Sequence, residues 1–144
     1  MRHIGILLIS ASVAVCSCHT QSRTLKGYTA TPLVSGPMEL VVDSVDFRKD
    51  LTRVYGKVKG QPHTSNRVNK LTMTVGKRQF EATDVDGFDM NRWFQWEDSG
   101  VIPVEFDFPA MAQQKAFEIS VDGPKGAGRW KFVNKKTVKK RKRR

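Results

Sequence analysis

The sequence predicts an all-β domain, an antiparallel sandwich of about seven strands, and three observations predict it. Apolar residues recur with a period of two in seven short runs within residues 38–133, the spacing that sends successive side chains to opposite faces of a sheet. Turns containing Gly, Asn and Pro separate these runs at fairly regular intervals, as in two-layered β-domains. No stretch of ten or more residues keeps a helical period, and residues 109–115 are enough for one turn only.

The first run alternates at Met38, Leu40 and Val42, then resumes in the opposite phase at Val45 and Phe47, which predicts a bulge near Asp43-Ser44. Residues 52–59 place Val54, Gly56 and Val58 on one face and Arg53, Tyr55, Lys57 and Lys59 on the other, the pattern of a half-buried strand. Leu71, Met73 and Val75 alternate with Lys70, Thr72 and Thr74, and Gly76-Lys77 turns the chain into residues 78–85, with Phe80 and Ala82 facing inward. The strongest alternation is Ile102, Val104, Phe106 and Phe108, in which Pro103 implies an edge position or a bulge. Phe117, Ile119 and Val121 form another strand. After the turn Asp122-Gly123-Pro124-Lys125-Gly126, Trp130 and Phe132 mark the last.

A chain of 144 residues suffices for one domain with its own core. Residues 1–17 read as a signal peptide. Met1-Arg2-His3 is a cationic start, and residues 4–15 (IGILLISASVAV) are an apolar run of twelve, the usual length of a signal core. That run is too short to cross a bilayer, which needs about 20 apolar residues. Residues 18–37 are polar, are broken by Gly27, Pro32, Gly36 and Pro37, and read as a flexible tether with a reach of roughly 25 Å. Residues 38–133 are the sandwich, and residues 134–144 a disordered polybasic tail.

The formal net charge of +11 is unevenly distributed. Eight of the 25 Lys and Arg (Lys135, Lys136, Lys139, Lys140, Arg141, Lys142, Arg143 and Arg144) lie in the tail and one, Arg2, in the leader, leaving 16 to face 14 Asp and Glu. The near-neutral remainder argues against a duplex-binding face spread over the domain. Both cysteines, Cys16 and Cys18, close the leader, so no disulfide can staple the sandwich and its stability rests on its apolar core.

Val15-Cys16-Ser17-Cys18 resembles the leader ends of bacterial lipoproteins, an aliphatic residue and two small residues before the lipidated cysteine. Cys16 stands where Ala, Ser or Thr is commoner, a relaxed form of the motif. Cys16 as the modified residue would follow Val13-Ala14-Val15, a poorer match because Val15 is bulky. The resemblance implies a thioether-linked diacylglycerol on Cys18, cleavage before it and acylation of the new amine, hence a cell-envelope protein anchored to a membrane. The alternative is ordinary signal cleavage, leaving a secreted cationic protein that binds polyanions through its tail.

The order of the strands, with a turn-rich middle and the late segment Gly100-Val101-Ile102-Pro103-Val104-Glu105-Phe106-Asp107-Phe108-Pro109, resembles the telokin-like, immunoglobulin-like domains of some bacterial lipoproteins. That resemblance covers residues 38–133 and implies a binding or scaffolding role, with no catalytic motif and no cofactor.

Two constellations are candidate sites. Arg92-Trp93-Phe94-Gln95-Trp96 carries two of the three tryptophans. Exposed, Trp93, Phe94 and Trp96 would stack on sugar faces or hold a protein partner; buried, they would close one end of the sandwich. Asp84, Asp86 and Asp89 around Gly87 resemble a calcium loop. In the register that puts Gly87 at the sixth place, however, Ala82 and Arg92 occupy the first and twelfth, where oxygen ligands are required, so a solvated acidic turn is the expected reading. His63 is the only histidine of the sandwich segment and has no nucleophile motif around it. The tail would attract anionic lipid or other polyanions, nucleic acid included, without sequence selectivity.

Overall fold

The computed structural model describes residues 23–135. The leader, Cys16, Cys18 and tail residues 136–144 lie outside the described residues. Within them the chain is all β, with every strand pairing antiparallel. The strands are β1 (Arg23–Lys26), β2 (Tyr28–Val34), β3 (Glu39–Phe47), β4 (Leu51–Lys59), β5 (Ser65–Arg67), β6 (Lys70–Val75), β7 (Arg78–Glu81), β8 (Asp84–Asp86), β9 (Trp93–Gln95), β10 (Val101–Pro109), β11 (Ala116–Gly123) and β12 (Gly126–Asn134). One sheet has the order β1-β3-β4-β10-β8, a second β2-β12-β11-β6-β7, and β5-β9 form a small third.

Alternate residues of the two large sheets meet in a single apolar core. Leu40, Val45, Val54, Val58, Phe106 and Phe108 come from the first, and Leu71, Met73, Ile119 and Phe132 from the second. The arrangement is an antiparallel β-sandwich consistent with an immunoglobulin-like one. The phase change in the first run is a bulge: the β3–β4 register shifts between Val42 and Ser44, so that Val42 and Val45 are both buried. Pro103 lies on a strand paired on both sides, yet β8 reaches only Glu105, Phe106 and Asp107. At Pro103 the side away from β4 therefore has no strand beside it, which is where a residue lacking an N–H belongs.

The structure has twelve strands where about seven are expected, and the additions have physical causes. Residues 78–85 divide at Ala82-Thr83, so that β7 pairs with β6 in one sheet and β8 with β10 in the other. Strands β5 and β9 are three residues each, too short for a period to show. The largest correction concerns the expected tether at residues 18–37, because β1 and β2 occupy most of it. β1 pairs with β3 and β2 with β12, and Gly27, at φ 86°, lets the chain cross between the sheets. Pro32 is tolerated because β2 is an edge strand.

The registers define two ends. The lower end gathers the β3–β4 turn, the β6–β7 turn, the 110–115 connection and both ends of the described chain. Arg23 pairs with Phe47, Val133 with Ala116, and a cleft lined by Gly76, Ala116 and Lys131 brings the β6–β7 turn beside β11 and β12. The upper end carries the 60–64 loop, the β5–β9 sheet and the β11–β12 turn.

Candidate interaction site at the upper end

Strand parity decides the fate of the aromatic segment. β9 pairs with β5 through Trp93↔Arg67, Phe94↔Asn66 and Gln95↔Ser65, and Trp96 continues the ladder, its N–H donating to Thr64 O at 2.9 Å. Phe94 and Trp96 therefore point to the core side and Trp93 to solvent. Trp96 is 1 % exposed, and its ring fills the space that a Cβ on Gly60 would take. Phe94 is half-buried, stacked on Phe88 with centroids 4.9 Å apart and edge-on to Trp96 at 5.3 Å. Of the three candidate binding residues, burial removes Trp96, and Phe94 serves mainly to join Phe88 to Trp96.

Trp93 remains, 53 % exposed. Lys125, on the β11–β12 turn, holds its Nζ 5.9 Å from the centroid of this ring while donating to Ser65 O at 2.6 Å. With an ammonium held over one face of the indole, the rest of the exposed ring can stack on a sugar or an apolar group of a partner, and the ammonium beside it can receive an anionic one. The sequence shows Trp93 and Lys125 separately; their meeting depends on the pairing of β5 with β9 and is not visible in either segment. His63, in the left-handed region at φ 67°, places Nε2 3.1 Å from Asp98 Oδ1 at this same end, both side chains well exposed.

The candidate calcium turn is not a cluster. Asp84 and Asp86 are the two outer residues of β8, which puts their Cα atoms roughly 7 Å apart along the strand. Asp84 Oδ1 accepts from the N–H of Val85 at 3.0 Å. Among the described residues, no three His, Cys, Asp or Glu side chains form a group able to hold a metal ion.

The outer face of the first sheet carries a feature that sequence reasoning missed. Arg53 and Asp107 form a two-pronged bridge, Nε to Oδ1 at 2.7 Å and Nη2 to Oδ2 at 2.9 Å; this pairing holds the guanidinium further above its ordinary pKa. Beside it a cleft of about 250 Å³ is lined by Asp43, Tyr55, Asp86 and Glu105. Tyr55 and Glu105 are legible as outward positions, but Asp86 joins them only because β8 lies next to β10. Of the tail cations, Lys135 alone is among the described residues, and it is exposed.

Comparison of the chain with models of known protein families, with curated proteins and with solved structures finds no match.

Proposed function

We propose that the chain is an exported lipoprotein, anchored to a membrane of the cell envelope through lipid on Cys18, whose β-sandwich is a non-enzymatic module that binds a protein or an envelope glycan. The observation that carries the reading is the leader: an apolar dozen after a cationic start, closed by Val15-Cys16-Ser17-Cys18. Acyl chains contribute about 0.8 kcal/mol per buried CH₂, so several make a lasting anchor. Trp93 with Lys125 is the surface on which a partner would dock.

The second reading, a secreted cationic protein that binds polyanions, is favoured by the eight tail cations. Carbonate washing of membranes from cells producing the wild type and Cys18→Ser separates the two. An anchored lipoprotein stays with the membrane as wild type and is released as Cys18→Ser; a variant that remains membrane-bound refutes the lipid anchor.

A further inference from the structure

We infer that the lower end of the folded sandwich is itself a docking surface for an anionic lipid bilayer, so that the domain stands end-on with Trp93 turned away from the membrane. Three observations meet at that end. The first is charge: Arg48, Lys49 and Lys77 lie in its turns, Lys115 in its connection, and Arg23 and Arg78 are the first residues of β1 and β7. The acid in those same turns is Asp50, engaged by Arg48 at 3.4 Å. All of these cations except the half-buried Arg48 are exposed. One step further in, Asp107 is bridged by Arg53 and Glu118 by Arg129, Asp46 accepts from Thr24 and Tyr55, and Asp84, level with Asp107, is exposed. The domain is close to neutral as a whole, so this is a local concentration of cations rather than a reflection of net charge.

The second observation is where the chain leaves the fold. Arg23 donates to Gln113 Oε1 at 3.1 Å, and Asn134 N–H donates to Lys115 O at 2.7 Å, so the segment leading back to Cys18 and the polybasic tail depart from the same end. The third is reach. Because β1 begins at Arg23, only His19, Thr20, Gln21 and Ser22 separate it from Cys18, which limits the span to about 18 Å even when fully extended. A lipid on Cys18 thus brings the lower end within one or two screening lengths of the headgroups, where each base is attracted by an anionic surface. The expected long tether would have left the orientation free; the short one selects it.

The inference takes its direction of approach from the Cys18 anchor, whereas its charge argument stands without lipid, and the test separates the two. Full chain carrying Cys18→Ser is titrated with vesicles of phosphatidylcholine containing one-third phosphatidylglycerol. Two further triple variants with equal charge change are compared, K49E/K77E/K115E at the lower end and K59E/R92E/K125E at the upper, with melting temperatures confirming that both fold. The lower-end variant loses roughly 100-fold in vesicle binding and the upper-end variant no more than about fivefold. Equal losses, or no loss in the lower-end variant, overturn the assignment. So does a result in which that variant weakens binding to single-stranded DNA and leaves vesicle binding unchanged.

A second measurement uses the chain produced with its own leader and reconstituted in the same vesicles. Energy transfer to a headgroup acceptor from a dye on Lys77→Cys exceeds that from a dye on Ser99→Cys; the reverse order refutes the orientation. Absence of lipid on Cys18 would remove the anchor reading without altering the outcome of the first assay.

Discussion

Asn134 Nδ2 donates to the carbonyl oxygen of Lys26 at 2.7 Å, joining residues 108 positions apart. The bond ties the last strand of one sheet to the first strand of the other, at the point where the chain crosses between them. Asn134 is buried, so replacing it with Ala leaves the Lys26 carbonyl without this donor. Asn134→Ala is expected to cost about 1–3 kcal/mol, read as a lower denaturant midpoint. An unchanged midpoint would mean that β1 and β2 contribute little to holding the fold.

The contact of Trp96 with Gly60 makes a second prediction and separates packing from binding. Gly60→Ala places a methyl group into the Trp96 ring and should cost about 1–3 kcal/mol by overpacking. Trp96→Ala should cost about 3–5 kcal/mol through the cavity it leaves. Trp93→Ala, at an exposed position, should change stability by no more than about 0.5 kcal/mol while weakening whatever docks on that face. Thermal melts of the three variants provide the check; a Trp93→Ala protein as unstable as Trp96→Ala would contradict the assignment of the two rings.

These two tryptophans also show how far the sequence could be read. Strands β3, β4, β6, β10, β11 and β12 are legible because each buries alternate side chains in the core, and hydropathy records burial. β2 is almost wholly exposed along its length and is held by main-chain hydrogen bonds to β12, which leave no trace in the apolar pattern. Its Gly and Pro neighbours then make it look like a tether. Trp93 and Trp96 are alike in composition, and only the β5–β9 register fixes which of them faces water. The carboxylates of β8 fall between these cases: their spacing is visible, but whether the segment is a strand or a loop is decided by β10 alongside it.

The Arg53–Asp107 bridge supplies a third prediction. Asp107 is nearly buried, and Arg53→Ala removes both of its guanidinium donors at once. The loss should be about 2 kcal/mol, in the range of hydrogen bonds to charged groups. Arg53→Lys should recover only part of it, because an ammonium cannot reproduce the planar fork. Urea denaturation of both variants tests this; full recovery by Lys would show that charge alone matters.

Tyr28 adds a dependence on pH. Its hydroxyl donates to Gln114 O at 2.9 Å, and burial pushes the phenol well above its ordinary pKa of 10.0. A pKa higher in the folded state than in the unfolded one gives a stabilisation that is complete below about pH 10 and is lost as pH rises toward the folded value. The wild type should therefore weaken above pH 10 more steeply than Tyr28→Phe. The variant should also start about 1 kcal/mol lower at neutral pH for want of the hydrogen bond. Parallel pH–stability curves for the two proteins would contradict this.

The proposed membrane anchor depends on what happens at Cys18, and the intact mass of the mature chain purified from its native membrane tests that most directly. The account predicts a chain beginning at Cys18 and carrying the added mass of a diacylglycerol and an acyl group. A chain that begins at Met1, or one that retains Cys18 as a free thiol, would contradict it.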